Sequence, residues 1–321
     1  MAPSTPVNII LGTHTVGDKQ APGTQGIVHF TEDKDVQELL DTFYERGYRQ
    51  LDTASLYPGS EVCLGRAGAP SRFTIHTKVH SGSPGAHEPA KLKQSVETSL
   101  LELKTDNVET MFLHVPDRQT PFEEVAKTMD GLAKTGAFKR FGLSNYAPDE
   151  VKRFLEICEK HDYIKPSVYQ GHYNALVRGG EEALFPLLRQ HNMSFFAYSA
   201  AAAGIFAEAN PDSSRWKDDN QIGQIYSMIY SQPAVEAAVA KVRQDALKHN
   251  ISGHAAALRW TAYHSNLDGR YGDAVIFAVS KLSQLHSSLD AIEAGPLPEK
   301  LARDISAVFA TMGETTPPFH L

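Results

Sequence analysis

The strongest constraint on the fold is an alternation of short β-rich runs with helical periods along nearly the whole chain. In one helical period, Val36, Leu39, Leu40 and Phe43 fall at i, i+3, i+4 and i+7, the spacing of a single helix face. Alternating strands and helices predict a parallel sheet with helical crossovers. The β-rich runs are residues 7–13, 49–53, 73–79, 108–114, 138–144, 167–171, 194–199 and 273–280. Eight strands can close a (β/α)8 barrel, although an open, doubly wound sheet fits the same pattern.

One interval between the runs is longer than the others. Residues 200–272 separate the seventh run from the eighth, which is enough for a helix within 234–248, a helix within 253–264 and a polar loop before them. A long loop on a compact domain is usually functional or disordered. No sequence repeat or domain linker is visible, so we expect one domain over residues 1–321.

The composition is that of an ordinary globular protein. The 321 residues are 41% hydrophobic and 21% charged, with a formal net charge of −7 and no dense run of Lys or Arg. This charge argues against nucleic acid or an anionic membrane as a partner. The two cysteines imply no disulfide framework, and the start of the chain lacks the pattern of a secretory signal. No apolar stretch approaches the ~20 residues of a membrane span, so we expect a soluble, cytoplasmic protein.

Polar side chains stand at the carboxyl ends of consecutive runs, where a barrel builds its active site. These side chains are Asp52 with Tyr57 in the following loop, Lys78, His114, Ser144, Asn145, Gln170 and Tyr198. Each has an ordinary alternative, since a strand-end His or Gln often only satisfies a hydrogen bond and a lysine can extend to the rim. An acid, a phenol, an amine and an imidazole at consecutive strand ends are less easily explained by chance.

This set of groups suits proton donation to a carbonyl oxygen. A free tyrosine has a pKa of about 10, and a lysine ammonium within hydrogen-bonding reach lowers that pKa. Tyr57 is therefore a candidate general acid with Lys78 as its partner, while Asp52 holds the ammonium and His114 orients the substrate oxygen. None of these groups supplies electrons. The carbonyl carbon still needs a hydride, which points to a nicotinamide cofactor.

Several motifs resemble those of the aldo-keto reductase superfamily, and in particular its subgroup similar to aflatoxin aldehyde reductases. The motifs are LDTASLY, TIHTKV, MFLHVPD, FGLSNYAPDEV, VYQGHYNAL, ALRWTAYHS and GDAVIF, in the family's order between Ile9 and Pro318. The resemblance implies a single (β/α)8 TIM barrel that uses NADPH/NADP+ to reduce aldehydes or ketones, in a reaction that can be reversible. It gives the catalytic roles just described to Tyr57, Lys78, Asp52 and His114.

The same resemblance implies a set of cofactor contacts. Asn145 and Gln170, with Ser144 beside them, would hold the nicotinamide carboxamide, and Tyr198 would stack behind the nicotinamide ring. Family members bind NADPH without a dinucleotide-binding Rossmann fold, which fits the absence of a G-x-G-x-x-G motif.

Two departures from the family pattern affect the cofactor side. After the seventh run the subgroup usually reads like YNPLAGGLLTGK, whereas this chain reads YSAAAAGIFAEAN. The remaining candidates for the pyrophosphate side are Ser199, Ala200 and Gly204. At the eighth run, VSKLSQLHSSL replaces the usual ASSVEQLEENL type of sequence. The candidates there are Ser280, Lys281 and Gln284 for the adenosine 2′-phosphate and Ser288 for the adenine, and the charge of Lys281 favours NADPH over NADH.

A third departure affects the substrate side. The segment IGQIYSMIYSQ corresponds to a region that is rich in Arg in carboxylate-handling relatives, but here Tyr226 has no basic residue beside it. Arg215 and Trp216, in the preceding loop, are the nearest candidates, and His14 and His172 are further pocket candidates. A pocket with aromatic groups and little charge suits aromatic or otherwise apolar aldehydes better than succinic semialdehyde.

Two other functions fit parts of the pattern. Some relatives keep the fold and the nucleotide with little turnover, so a weakly catalytic, nucleotide-binding regulatory or partner protein is the main alternative. A metal-dependent barrel hydrolase would need clustered His and Asp/Glu ligands, and no Cys/His spacing in this chain resembles a zinc site. The four catalytic residue types favour the reductase. Its expected partners are a small carbonyl substrate and, as a family-level expectation, a second copy in a homodimer.

Overall fold

Eight parallel strands close into a barrel in the computed structural model of this protein, which describes residues 5–22, 24, 26–207 and 221–320. Each strand pairs with the next one along the chain, and β1 closes the ring by pairing with β8. The strands are β1 (Asn8–Gly12), β2 (Gln50–Asp52), β3 (Thr74–Val79), β4 (Val108–Leu113), β5 (Phe138–Ser144), β6 (Pro166–His172), β7 (Ser194–Tyr198) and β8 (Ala274–Phe277). The (β/α)8 prediction is confirmed, and the open-sheet alternative is wrong.

Helices surround the barrel and connect its strands. Within the described residues they are α1 (Asp33–Glu45), α2 (Ser60–Arg66), α3 (Pro89–Leu103), α4 (Phe122–Lys134), α5 (Pro148–His161), α6 (Leu184–Gln190), α7 (Gln221–Tyr230), α8 (Pro233–Leu247), α9 (Gly253–Tyr263), α10 (Leu282–Glu293) and α11 (Glu299–Thr311). The two helices predicted in the long interval correspond to α8 and α9. Pro148 begins α5, a position where its missing N–H costs no helical hydrogen bond. None of these helices is long and apolar enough to cross a membrane.

The hydrophobic core has two parts. The larger part lies between the strands and the helices, and the four apolar residues of α1 that predicted one helix face are all buried in it. The smaller part fills the interior of the barrel and consists of Ile10, Phe112, Val168, Phe196, Ala274 and Ile276. The barrel is therefore a packed core, and open space for a ligand is confined to its ends.

Gly142 of β5 makes room for a phenylalanine in the barrel interior. Phe112 of β4 is its partner in register, and a Cβ atom at Gly142 would lie 2.2 Å from Cδ1 of that ring. The Phe112 ring also packs against Phe196, with 6.1 Å between ring centroids. A side chain at position 142 would therefore displace a ring that is enclosed on both sides.

We expect Gly142→Ala to lower the free energy of unfolding by about 2 kcal/mol, because an added methyl group in a packed core forces its neighbours off their preferred conformations. The matched control is Gly131→Ala in α4, where no heavy atom lies within 4 Å of the new Cβ. That variant should gain about 0.5–1 kcal/mol from the better helix propensity of alanine. Urea denaturation measures both, and equal stability of Gly142→Ala and wild type would contradict the packing argument.

Candidate active site

A buried ion pair joins the carboxyl ends of β2 and β3. Nζ of Lys78 lies 2.6 Å from Oδ1 of Asp52 and donates a second hydrogen bond to the carbonyl of Thr53 at 2.8 Å. The side chains of the pair are 0% and 4% exposed. Oδ2 of Asp52 accepts from Nε2 of Gln170 at 2.7 Å. Burial lowers the pKa of Lys78, and the charge of Asp52 opposes that shift, so the carboxylate helps to keep the ammonium charged.

Tyr57 lies over this pair with its ring partly exposed. Nζ of Lys78 is 5.1 Å from the centre of the phenol ring. Burial, and next the charge of Asp52, raise the pKa of Tyr57 well above its usual value. Lys78 was expected to lower this pKa, but its hydrogen bonds go to Asp52 and Thr53, and desolvation of the phenol prevails. The phenol therefore carries its proton at neutral pH, which is the state that a general acid requires.

The ring of His114 lies edge-on to Tyr57, with 5.8 Å between centroids and an angle of 84° between planes. Burial lowers the pKa of His114 well below its usual range, and the positive charge of Lys78 adds to the effect. The imidazole is therefore neutral, with one ring nitrogen able to donate a hydrogen bond. Its Nδ1 is buried and has no hydrogen-bond partner among the residues that the structure describes.

The loop that carries Tyr57 is fixed by the hydroxyl of Ser60. This hydroxyl donates to the carbonyl of Thr13 and lies 3.0 Å from the Thr13 hydroxyl, while the Thr53 hydroxyl donates to it at 3.1 Å. One side chain thus ties the loop to both β1 and β2. Sequence reasoning missed Ser60, because nothing in its spacing distinguishes a bridging serine from a helix-start residue.

Gly17 brings a second backbone against the same loop. A Cβ atom at this position would lie 2.1 Å from the carbonyl oxygen of Pro58, and the φ of Gly17 is 151°. Only glycine permits this approach. Because Pro58 directly follows Tyr57, the loop after β1 limits how far the phenol can move.

The residues predicted to hold the nicotinamide carboxamide form a hydrogen-bonded group. Nδ2 of Asn145 donates to the carbonyl of His114 at 3.0 Å and to Oγ of Ser144 at 3.1 Å, and the Tyr198 hydroxyl donates to Oδ1 of Asn145 at 2.7 Å. Asn145 has a φ of 66°, a conformation that asparagine tolerates better than most residues. Gln170 contacts the Asp52 carboxylate, and Asn145 joins Ser144 and Tyr198 to the backbone of His114.

The loop after β7 holds non-glycine residues in left-handed conformations. Its positive φ values are 53°, 48°, 54° and 85° at Ser199, Ala202, Ala203 and Gly204. The carbonyl of Ser199 accepts from Nδ2 of Asn174, and the carbonyl of Ala200 accepts from the Thr261 hydroxyl, both at 2.9 Å. Such conformations cost energy and persist where the surrounding structure imposes them, often at functional sites.

The residues predicted to bind the adenosine end divide into two groups. At the start of α10, Oε1 of Gln284 accepts from the backbone N–H of Ser280 at 2.8 Å and lies 3.0 Å from its hydroxyl, and Lys281 beside them is exposed. Ser288 is instead 2% exposed, and its hydroxyl lies 3.3 Å from Nε2 of His254 on α9. Its side chain therefore contacts α9, whereas the other three are accessible to a ligand.

Two of the predicted pocket residues lie near the phenol. The ring of His14 approaches Tyr57 edge-on at 6.1 Å between centroids. Tyr226 of α7 is close enough to contribute to the raised pKa of Tyr57. The loop after β1 and helix α7 therefore each carry an aromatic residue in the neighbourhood of the general-acid candidate.

Of the other three predicted pocket residues, the structure describes only His172. His172 lies behind Tyr198, with 5.3 Å between ring centroids. Arg215 and Trp216 fall outside the described residues. No group of three or more His, Cys, Asp or Glu side chains in the described parts of the chain is placed to hold a metal ion.

Asp117, a residue that sequence reasoning missed, organises the loop after β3. Its carboxylate accepts hydrogen bonds from the backbone N–H groups of Gly85 and His87, at 3.2 and 3.0 Å, and from the Thr120 hydroxyl at 2.6 Å. Burial alone would raise the pKa of Asp117, but these donors hold it at about 2. The only signal in the sequence was an acid shortly after the strand-end His114.

Comparison with known proteins adds an independent observation. Residues 8–309 match the model of the aldo/keto reductase family. An aldo-keto reductase of Pseudocercospora fijiensis is 34% identical over 88% of this chain and 99% of its own length. The oxidoreductase sirO of Leptosphaeria maculans is 34% identical over 99% of this chain and 98% of its own length. Aflatoxin B1 aldehyde reductase member 2 of Homo sapiens is 34% identical, with 92% of this chain and 84% of the relative aligned.

We expect Ala203→Gly to raise the free energy of unfolding by about 1 kcal/mol, because glycine removes the steric cost of the left-handed conformation at φ 54°. The matched control is Ala201→Gly, at φ −107° and with the same 8% exposure as Ala203. The control should lose about 0.5–1 kcal/mol through chain entropy. Urea denaturation distinguishes the two variants, and an equal loss in both would show that Ala203 is unstrained.

Proposed function

Because the chain belongs to the aldo/keto reductase family, we propose that it reduces aldehydes or ketones to alcohols with NADPH, using Tyr57, Lys78, Asp52 and His114. One observation carries the proposal: a buried ammonium–carboxylate pair lies beneath a protonated phenol and a neutral imidazole at the carboxyl ends of neighbouring strands. Members of this family are oxidoreductases that act on small carbonyl compounds with nicotinamide cofactors.

The proposed role of Tyr57 is to donate its proton to the carbonyl oxygen. When bound, NADPH supplies the hydride that adds to the carbonyl carbon. The electron pair of the C=O π bond then takes the phenol proton, so that the product is the alcohol and Tyr57 is left as a phenolate. Lys78 stabilises that phenolate by its charge, and Asp52 keeps Lys78 protonated and in place. His114 donates a hydrogen bond to the same oxygen and orients the carbonyl.

The residues around the site fit a nicotinamide cofactor. In the described residues the Gln170 amide donates one N–H to Asp52 and Oδ1 of Asn145 accepts one hydrogen bond, so both amides retain capacity to pair with a carboxamide. Tyr198 presents a partly exposed aromatic ring beside them. Ser199, Ala200 and Gly204 are assigned to the pyrophosphate, and their loop begins directly after Tyr198.

The adenosine end of the proposed site lies at the start of α10. Ser280, Lys281 and Gln284 are close together there, and a helix N-terminus favours a phosphate group. The cation of Lys281 supports NADPH over NADH. Ser288 has the weakest support among the assigned residues, because its hydroxyl is buried against α9.

The proposed substrates are aromatic or otherwise apolar aldehydes. Tyr226 and the imidazoles of His14 and His114 are the neighbouring side chains of the Tyr57 phenol. Burial lowers the pKa of His114 well below its usual range, so this imidazole is uncharged at neutral pH. An uncharged aromatic wall offers little to a carboxylated aldehyde.

We also propose that residues 1–321 form one domain. The proposal is supported by the packing of α8 against α11 and of α9 against α10, which joins the long interval to the C-terminal helices. The homodimer, the cytoplasmic location and the absence of nucleic acid and membrane partners remain predictions from the sequence.

We expect Tyr57→Phe to lower kcat/KM for aldehyde reduction by at least ~100-fold, the contribution of a general acid, while NADPH binding persists. The loss of NADPH absorbance with a panel of aromatic aldehydes and succinic semialdehyde measures this. Tyr163→Phe is the control, because Tyr163 stacks on His161 between α5 and the start of β6, at the opposite end of that strand from the site. If wild type binds NADPH and turns over no aldehyde, the chain is a nucleotide-binding protein instead.

We expect Lys281→Ala to raise the Kd for NADPH about fivefold, the worth of an exposed ion pair of about 1 kcal/mol, and to leave the Kd for NADH unchanged. Fluorescence titration with each cofactor measures the difference. Lys300→Ala, an exposed lysine of α11, serves as the control for loss of one surface charge. An equal effect of Lys281→Ala on both cofactors would show that Lys281 does not contact the 2′-phosphate.

A further inference from the structure

His172 has extensive contacts at the site, but the proposed proton transfer gives it no role. It lies at the end of β6, two residues after Gln170, and is 5% exposed. Its ring is nearly parallel to that of Tyr198, with 5.3 Å between centroids and an angle of 11° between planes. His172 therefore covers one face of the aromatic ring that is assigned to the nicotinamide.

One nitrogen of this imidazole is hydrogen-bonded to helix α7. Nε2 lies 2.6 Å from the hydroxyl of Tyr230 on α7 and 3.4 Å from Nδ2 of Asn174. An amide nitrogen can only donate, so Nε2 is the acceptor nitrogen of the neutral ring and takes the proton of the Tyr230 hydroxyl.

Further hydrogen bonds fix the partners of His172. Nδ2 of Asn174 donates to the Tyr230 hydroxyl at 3.2 Å, which leaves that hydroxyl proton for His172. The hydroxyl of Tyr198 is bound to Asn145, so Tyr198 is held at its tip by a hydrogen bond and on one face by the imidazole. Burial lowers the pKa of His172 to about 4, which agrees with a neutral ring in this arrangement.

We propose that His172 is a positioning residue for the cofactor, acting through Tyr198. Its ring is the rear layer of a stack whose front layer is the nicotinamide, and the bond between Nε2 and Tyr230 anchors that layer to α7. A parallel ring behind Tyr198 stops the phenol ring from tilting when a ligand stacks on it. This inference rests on the proposed function, since it requires that Tyr198 binds a nicotinamide.

Three variants separate the ring from its nitrogens. His172→Leu keeps much of the volume without a planar ring, and we expect it to raise the Kd for NADPH about tenfold, the upper range for an aromatic stack. His172→Phe keeps a planar ring without nitrogens and should stay within about threefold of wild type. Tyr230→Phe keeps the imidazole but removes its anchor to α7, and it should weaken NADPH binding about threefold.

Fluorescence titration gives the Kd, and the emission of bound NADPH reports on the stack itself. A purely structural role would lower the thermal stability of the Leu and Phe variants alike and leave the emission of bound NADPH unchanged. Positioning predicts instead that the emission changes in His172→Leu and is restored in His172→Phe. His249→Leu, at an exposed histidine after α8, controls for the substitution.

The proposal is overturned if His172→Leu binds NADPH with the affinity and emission of wild type, or if His172→Phe is as impaired as His172→Leu. If His172→Leu does not fold, Tyr230→Phe decides, and wild-type affinity in that variant overturns the anchoring role. A wild-type protein that neither binds NADPH nor reduces aldehydes refutes the proposed function. A wild type that does both, with unaffected variants at position 172, refutes this inference alone.

Discussion

The arrangement of the site depends on the buried contact between Lys78 and Asp52. Two charges withdrawn from water are costly unless they meet each other and have further hydrogen bonds. Here the ammonium also binds the carbonyl of Thr53, and the carboxylate also binds Gln170. These bonds require β2, β3 and β6 to end at the same level, which the closed ring provides. The pair thus links the register of the barrel to the place where Tyr57 and His114 meet.

The protonation states around this pair follow from desolvation. Burial keeps Tyr57 protonated and His114 neutral, so that only the ion pair is charged in this group. Electrostatic interactions are strong where water is excluded. The Lys78 ammonium would therefore stabilise negative charge that develops on a carbonyl oxygen at this site. Desolvation raises the pKa of Tyr57, so the phenol still carries its proton when a substrate binds.

The strand-end residues could be predicted from the sequence because a strand alternates its side chains between two faces. Once eight strands were recognised, the alternation placed four side chains together at the carboxyl end of the barrel. These are Asp52, Lys78, His114 and Gln170. Residues whose role depends on contacts between segments that are distant in the sequence could not be predicted in this way. The bridge made by Ser60, the close contact of Gly17 and the loop anchored by Asp117 depend on segments that meet only in the folded chain. The direction of the Tyr57 pKa shift was missed for the same reason, since desolvation is not visible in a motif.

The strands follow one another around the ring in chain order. This order places the residues proposed for proton transfer and those proposed for cofactor binding in different segments of the sequence. The candidates for proton transfer all fall within residues 52–114, and those for the cofactor begin at Ser144. Loops after β7 and β8 can therefore diverge, as they have here, without changing the candidate general acid Tyr57. The two segments are nevertheless in direct contact, because Gln170 donates a hydrogen bond to Asp52 and Asn145 donates one to the carbonyl of His114. We therefore expect a substitution that displaces either amide to disturb the residues that are candidates for proton transfer as well as those for the cofactor.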